Sequence, residues 1–246
     1  ILLIGVADGV GGLAFGDVAS KIALTTFSTN LIQGLMMHYR GAKIFDRPPD
    51  AEDDLVVYRI AKESIDKANE AVRGVVRKAG TTLTAALVAG GAAYVINVGD
   101  SRAYLVSYDE VRQNQGKIYQ ITRDHSVPWR DFENELKKIN WSEIDMKKFF
   151  EWKRSYLENH PSSHVIWNVV GYYGVVGYID IHKLFLYEGD RLILATDGLT
   201  DMVNDYEILE IVKDEKDCEG AVEALVKKAN EKGGKDNITV AILDVI

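Results

Sequence analysis

Four short β-rich runs follow one another at residues 82–89, 92–98, 103–107 and 117–122, parted by Gly90-Gly91, by Gly99-Asp100-Ser101 and by a polar loop. A parallel pair of strands needs a crossover of roughly a dozen residues or more, and none of these links is that long. The stretch is therefore read as an antiparallel meander, which excludes alternating βαβ units. Further strands are expected at 1–7, 178–187, 191–195 and 238–245. Residues 13–39 are mainly apolar with helical spacing, and 41–54, with Pro48-Pro49, reads as a surface loop. A second helix is expected from a cap at Asp53-Asp54 to about residue 78, with Ile60, Ile65, Ala68 and Val72 along one face and Gly80 as its stop. Further helices are read from about 205 and over 219–231.

Between 126 and 160 the chain turns helical and aromatic. Trp141, Ile144, Phe149, Trp152 and Tyr156 have roughly helical spacing, so they are expected to pack this insertion onto the body. The organisation read from the sequence is one α/β domain over 1–246, built on antiparallel sheets, with a helical insertion at about 126–175.

A length of 246 residues with 47% hydrophobic and 27% charged side chains suits a soluble globular protein with a substantial core. The net charge of -8 argues against a nucleic acid or an anionic membrane as partner. The lone Cys218 excludes an internal disulfide framework and a cysteine zinc cluster, and it fits a reducing compartment. No apolar run approaches the roughly 18 residues of a membrane span. The chain opens on Ile1-Leu-Leu-Ile without methionine, already inside a strand, so N-terminal sequence is expected to be missing.

Four aspartate motifs interrupt or bound these apolar runs: Asp8-Gly9-Val-Gly-Gly, Gly99-Asp100-Ser-Arg, Asp197-Gly198-Leu-Thr-Asp201 and Lys235-Asp236-Asn237-Ile-Thr-Val. Each aspartate alone is ordinary turn chemistry. That reading suffices for Glu188-Gly189-Asp190, and a turn or helix cap is favoured for Asp109, Asp124 and Asp205. It falters jointly for Asp8, Asp197 and Asp236, which recur at separated strand ends. Carboxylates gathered at a core's rim repel one another unless a hard cation such as magnesium or manganese joins them. Gly9-Val-Gly11-Gly-Leu-Ala14 also fits a dinucleotide fingerprint, but no βαβ context follows and Asp8 would face the pyrophosphate. Gly99-Asp-Ser101 is a loose nucleophile elbow followed by a strand instead of a helix. The five histidines have no zinc spacing, and His125 is the one expected to make a structural hydrogen bond.

Taken in order, D-G-x-G-G, G-D-S-R, D-H-S, G-D-x-x-[IL]-L-A-[TS]-D-G-L-x-D and D-N-[IV]-T-V resemble the metal-dependent serine/threonine protein phosphatases of the 2C type, across nearly the whole chain. Thr200 inside Asp197-Gly-Leu-Thr-Asp201 resembles the bacterial branch, and Gly80-Thr-Thr82 resembles the segment that opens a core strand there. The resemblance implies an α+β fold of two packed antiparallel sheets with helices on both outer faces, a four-layer sandwich with a helical flap bordering the site. It implies that Asp8 bridges two metals, that Gly9 lends its carbonyl, and that Asp197 and Asp236 complete the ligands. Asp100 matches the residue that helps Asp197 hold a third, weaker ion, and Asn237 and Asp201 match residues that orient ligands or their waters.

The implied activity is hydrolysis of phosphoserine and phosphothreonine in proteins with two Mg2+ or Mn2+ ions, in a cytoplasmic monomer opposed by a serine/threonine kinase. Two positions depart from the family pattern. Val10 and Leu13 stand where members of the two branches carry histidine, and no counterpart of the family's upstream phosphate-binding arginine precedes Ile1. Arg102 is expected to serve structure and not to replace it. These departures keep open a second class of function, a phosphatase-fold regulatory module that binds a partner through its flap.

Overall fold

The first three runs of the expected meander become central, largely buried strands and the fourth a half-exposed edge strand, and the meander is broken in the middle: the first two runs pair in one sheet and the last two in the other. The computed structural model describes residues 1–10, 15–39, 47–76, 78–108, 116–172 and 176–246. In chain order its strands are β1 (Leu2–Val6), β2 (Leu83–Ala89), β3 (Ala92–Val98), β4 (Arg102–Ser107), β5 (Lys117–Gln120), β6 (Asp180–Phe185), β7 (Arg191–Ala195) and β8 (Val240–Asp244). The helices are α1 (Gly16–Tyr39), α2 (Ala51–Val75), α3 (Val127–Leu136), α4 (Met146–Glu158), α5 (Asp197–Thr200), α6 (Asp205–Asp214) and α7 (Cys218–Glu231). Two four-stranded sheets result, in the orders β1-β2-β3-β6 and β5-β4-β7-β8, and every strand pair in them is antiparallel. This is the α+β class with two antiparallel sheets that the sequence predicts.

Two compact units divide the chain. The first comprises Ile1–Ser101 and Asn168–Tyr187. Its core joins the first sheet to α1 and α2, where Ala19, Ala23, Phe27, Leu31 and Leu35 form one buried stripe at helical spacing. Gly34 lets α2 come close, since a Cβ there would lie 2.6 Å from Ile60 Cγ2. The cap of α2 differs from the expected one. Asp50 is the N-cap and accepts the Glu52 and Asp53 N–H groups at 3.0 and 3.1 Å, while Asp53 accepts the Asp50 N–H at 3.0 Å. The expected loop therefore gives way to helix at residue 51, and its part at 41–46 lies outside the described residues. The helix also ends earlier than expected, at Val75. The β-branched Val76 takes extended angles (φ -128°, ψ 121°) while its N–H still closes the last turn on the Val72 carbonyl at 2.8 Å, and the chain leaves the helix there.

The second unit comprises Arg102–Trp167 and Glu188–Ile246. Tyr104, Ile193, Ala195, Leu199, Val203, Ile208 and Leu225 lie at its centre, between the second sheet and α5, α6 and α7. In the insertion the expected aromatic contact is redirected. Phe132 of α3 gathers Trp152, Tyr156 and Phe149 at ring-centroid distances of 5.1, 5.4 and 6.4 Å, so these rings hold the insertion to itself. The face of α4 that meets α5 and α6 instead carries Phe150, Lys153, Arg154 and Leu157.

Candidate active site

In the first unit β1 delivers Asp8, and the Thr81-Thr82 pair at the head of β2 fixes its backbone. The Asp8 N–H donates to Thr82 Oγ1 at 2.9 Å, and the Asp8 carbonyl accepts the Thr82 N–H at 2.8 Å and the Thr81 hydroxyl at 2.7 Å. Gly9 bridges to Thr81 and lies against Gly16, where an added Cβ would sit 2.3 Å from backbone carbon. Thr82 Oγ1 also shares a 2.7 Å hydrogen bond with Ser101 Oγ. Asp100 is thereby placed in the turn beside the residue that holds Asp8. Gly99 adopts φ 111°, and Thr82 occupies the space a side chain there would need. Ser101 is fully buried and bonded, which rules it out as an exposed nucleophile.

In the second unit β7 ends at the base of α5, so Asp197 opens a helical turn. Thr196 ties this end to the last strand: its N–H donates to the Thr239 carbonyl at 3.1 Å, and its Oγ1 accepts the Thr239 N–H at 3.0 Å. Gly198 brings the Asp236-Asn237 backbone closer still, because a Cβ at 198 would lie 2.2 Å from the Asn237 carbonyl oxygen. The segments that carry Asp197 and Asp236 are thus in direct contact. Asp236 Oδ1 accepts the Asn237 N–H at 2.7 Å, and the Asp201 N–H donates to the Asp197 carbonyl at 2.8 Å. Protein mass around the Asp201 carboxyl, and then the nearby Asp197, push its pKa up to about 6. Asp201 keeps solvent access, so the repulsion by Asp197 is the cause that acts there most directly. Among the described residues, no group of three or more His, Cys, Asp or Glu side chains is close enough to hold a metal ion. What each unit does supply is carboxylates on tightly fixed strand ends, and such a donor set suits a hard divalent cation.

Three residues read as turns, caps or structural hydrogen-bond partners have larger roles. Asp124 accepts Arg102 Nε at 2.9 and 3.0 Å and its Nη2 at 2.6 Å in a buried pair, so Arg102 serves structure as expected. Asp205 is buried and accepts Lys153 Nζ at 2.5 Å and the Tyr104 hydroxyl at 3.2 Å. His125 is buried, its ring 4.9 Å from that of Trp167 while its carbonyl accepts the Trp167 N–H at 2.9 Å. Asp109 lies outside the described residues. Lys153 went unread because a lysine on an aromatic helix gives no local sign that it is buried.

Comparison with known proteins decides the family. Residues 1–239 match the family described as Protein phosphatase 2C. The chain belongs to that family. A serine/threonine phosphatase, stp, of Listeria innocua is 31% identical over 245 residues, covering 97% of this chain and 82% of that one. Protein phosphatase PhpP of Streptococcus pneumoniae is 29% identical over 242 residues, with 97% and 84% covered. The crystal structure of the Ser-Thr phosphatase MsPP from Mycobacterium smegmatis superposes with a TM-score of 0.69 at 28% identity, over 99% of this chain and 88% of that one. A catalytic domain of the phosphatase PstP in complex with two manganese ions gives a TM-score of 0.69 at 26% identity, with 99% and 87% covered. These matches are of the bacterial type, and the family is metal-dependent. The antiparallel first sheet also disposes of the dinucleotide reading of Gly9–Ala14, since β1 pairs antiparallel with β2.

Proposed function

We propose that this phosphatase-family chain hydrolyses phosphoserine and phosphothreonine in proteins, with residues 1–246 acting as one catalytic domain. In this reading Asp8, Asp197 and Asp236 hold two Mg2+ or Mn2+ ions and the Gly9 carbonyl adds a ligand. Asp100 and Asp197 take a weaker third ion. When bound, such ions acidify a water and neutralise phosphoryl oxygens. The protein's own part is to hold the carboxylates in place before substrate arrives. Thr82 does this for Asp8, while the Thr196–Thr239 pair does it for Asp197 and Asp236. Asn237 and Asp201 orient the ligands. The Val10 side chain has no titratable group, so the leaving oxygen takes its proton from water or from another group and not from that side chain.

The observation that supports the reading most strongly is the backbone contact between Gly198 and Asn237, which puts two of the carboxylate-bearing segments side by side. A phosphoprotein is the substrate and a serine/threonine kinase the opposing enzyme. The protein works as a cytoplasmic monomer, and among the described residues no helix is long and apolar enough to cross a membrane. Asp197→Asn is expected to abolish Mn2+-dependent hydrolysis of p-nitrophenyl phosphate. Turnover retained in that variant overturns the assignment.

A further inference from the structure

Lys153 stands in the middle of α4 with its side chain only 6% exposed. Its ammonium donates to Asp205 Oδ2 at 2.5 Å and to Gln120 Oε1 at 2.6 Å, and it lies 5.1 Å from the centre of the Trp129 ring. Asp205 is equally enclosed and is the first residue of α6. Burying two charges costs desolvation that their attraction need not recover, and an apolar pair of the same size often stabilises a fold equally well. Stability alone therefore gives a weak reason for this pair. Its position suggests another one. Asp205 lies four positions after Asp201, and two of the three residues between them, Met202 and Val203, are buried in the unit's core. A capping box at Asn204 and Glu207, clamped by Lys232 at 2.6 Å, locks the start of α6. Asp205 is thus rigidly connected to α5, whose first residue is Asp197.

We infer that Lys153 is a positioning residue: through Asp205 it joins the flap helix α4 to the α5–α6 turn, so that flap and metal-ligand turn order together. This rests on the proposed metal role of Asp197. The Glu158–Lys235 pair at 3.2 Å, at the end of α4 and one residue before Asp236, is exposed on both sides and adds little to this link. A cavity of about 20 Å³ lies between the two elements, bounded by Arg102, Lys153, Thr200, Asp201 and Asp205. That volume admits about one water, so α4 packs closely against the residues that surround Asp205. Burial pulls the Lys153 ammonium's pKa down, while Asp205 holds it up.

The test is hydrogen exchange on the whole chain with and without Mn2+, because coupling between two elements is reciprocal. Mn2+ is expected to slow amide exchange several-fold over 197–205 and also over 150–157 of α4. In Lys153→Met/Asp205→Asn, which removes both charges together, the slowing over α4 should disappear and Mn2+ affinity should fall several-fold, read from the spectrum of free Mn2+. Lys153→Arg with Asp205 intact, which keeps a cation on that carboxylate, should retain both. Slowing confined to 197–205 in the unaltered protein overturns the inference and leaves the metal site standing. That measurement decides the matter even where the double variant does not fold. Unchanged Mn2+ affinity in a folded double variant overturns it as well. If Mn2+ changes nothing at 197–205, the metal role of Asp197 fails and this inference falls with it.

Discussion

Gly198 sits where two backbones touch, with no room for even one methyl group against the Asn237 carbonyl. Gly198→Ala must move either the α5 turn or the 236–237 loop. Forcing extra volume into such a contact costs about 1–3 kcal/mol. The expected result is a lower urea midpoint together with weaker Mn2+ binding, and an unchanged value for both would show that the contact is not kept in solution. Arg102 gives a second case. Arg102→Met leaves Asp124 buried, with the longer Gln120 contact at 3.2 Å in place of the guanidinium, and breaking a buried pair from one side costs about 3–5 kcal/mol. Equilibrium unfolding should show that loss, and a change under 1 kcal/mol (roughly the worth of an exposed pair) would contradict it. The acids at strand ends were legible because an apolar run stopping at aspartate is visible within a few residues. Lys153 with Asp205 and Arg102 with Asp124 were not, because their partners lie 52 and 22 positions apart.

Helix ends show how element boundaries are set. Asp53 and Glu207 each complete a capping box and each carry a further partner. Burial would raise the Asp53 carboxyl's pKa, but the Asp50 N–H, the Tyr39 hydroxyl and Arg47 outweigh it and hold it below its ordinary 3.8. Burial acts likewise on Glu207, where Lys232 and the Asn204 N–H hold it below 4.5. A depressed carboxyl contributes stability that is complete above its unfolded value and is lost as pH falls through the folded one. Glu207→Gln should therefore flatten the decline of stability below about pH 4.5, measured by urea unfolding at stepped pH. Parallel curves for variant and parent would refute this linkage. The antiparallel pairing of β2 with β3 and of β4 with β5 was readable from strand spacing, but the passage of the chain from one sheet to the other at Gly99-Asp100-Ser101 was not, because a short link reads the same whether the next strand stays in the sheet or leaves it. The four-residue α5 was not, since a single turn has little helical preference of its own and forms where Leu199 and Thr200 are drawn into the core. The cap of α2 was misplaced by three residues because Asp50, Asp53 and Asp54 all qualify by type, and only the geometry separates cap from reciprocating residue.

At the scale of the molecule, each unit builds its own core and fixes its own share of the proposed ligands. The sheets were legible because they rest on long apolar runs, and the family because its motifs recur in order along the chain. The insertion's inner packing was hidden, because helical spacing says which residues share a face but not what that face meets. The central claim is metal-dependent removal of phosphate from protein serine or threonine. Its most direct test is phosphate release from a phosphothreonine peptide as Mn2+ is titrated into chelator-stripped protein. The account predicts release that saturates with Mn2+, stops on adding chelator and is absent in Asp236→Asn. Mn2+ binding without release at either neutral or alkaline pH would contradict it and identify a binding module in its place.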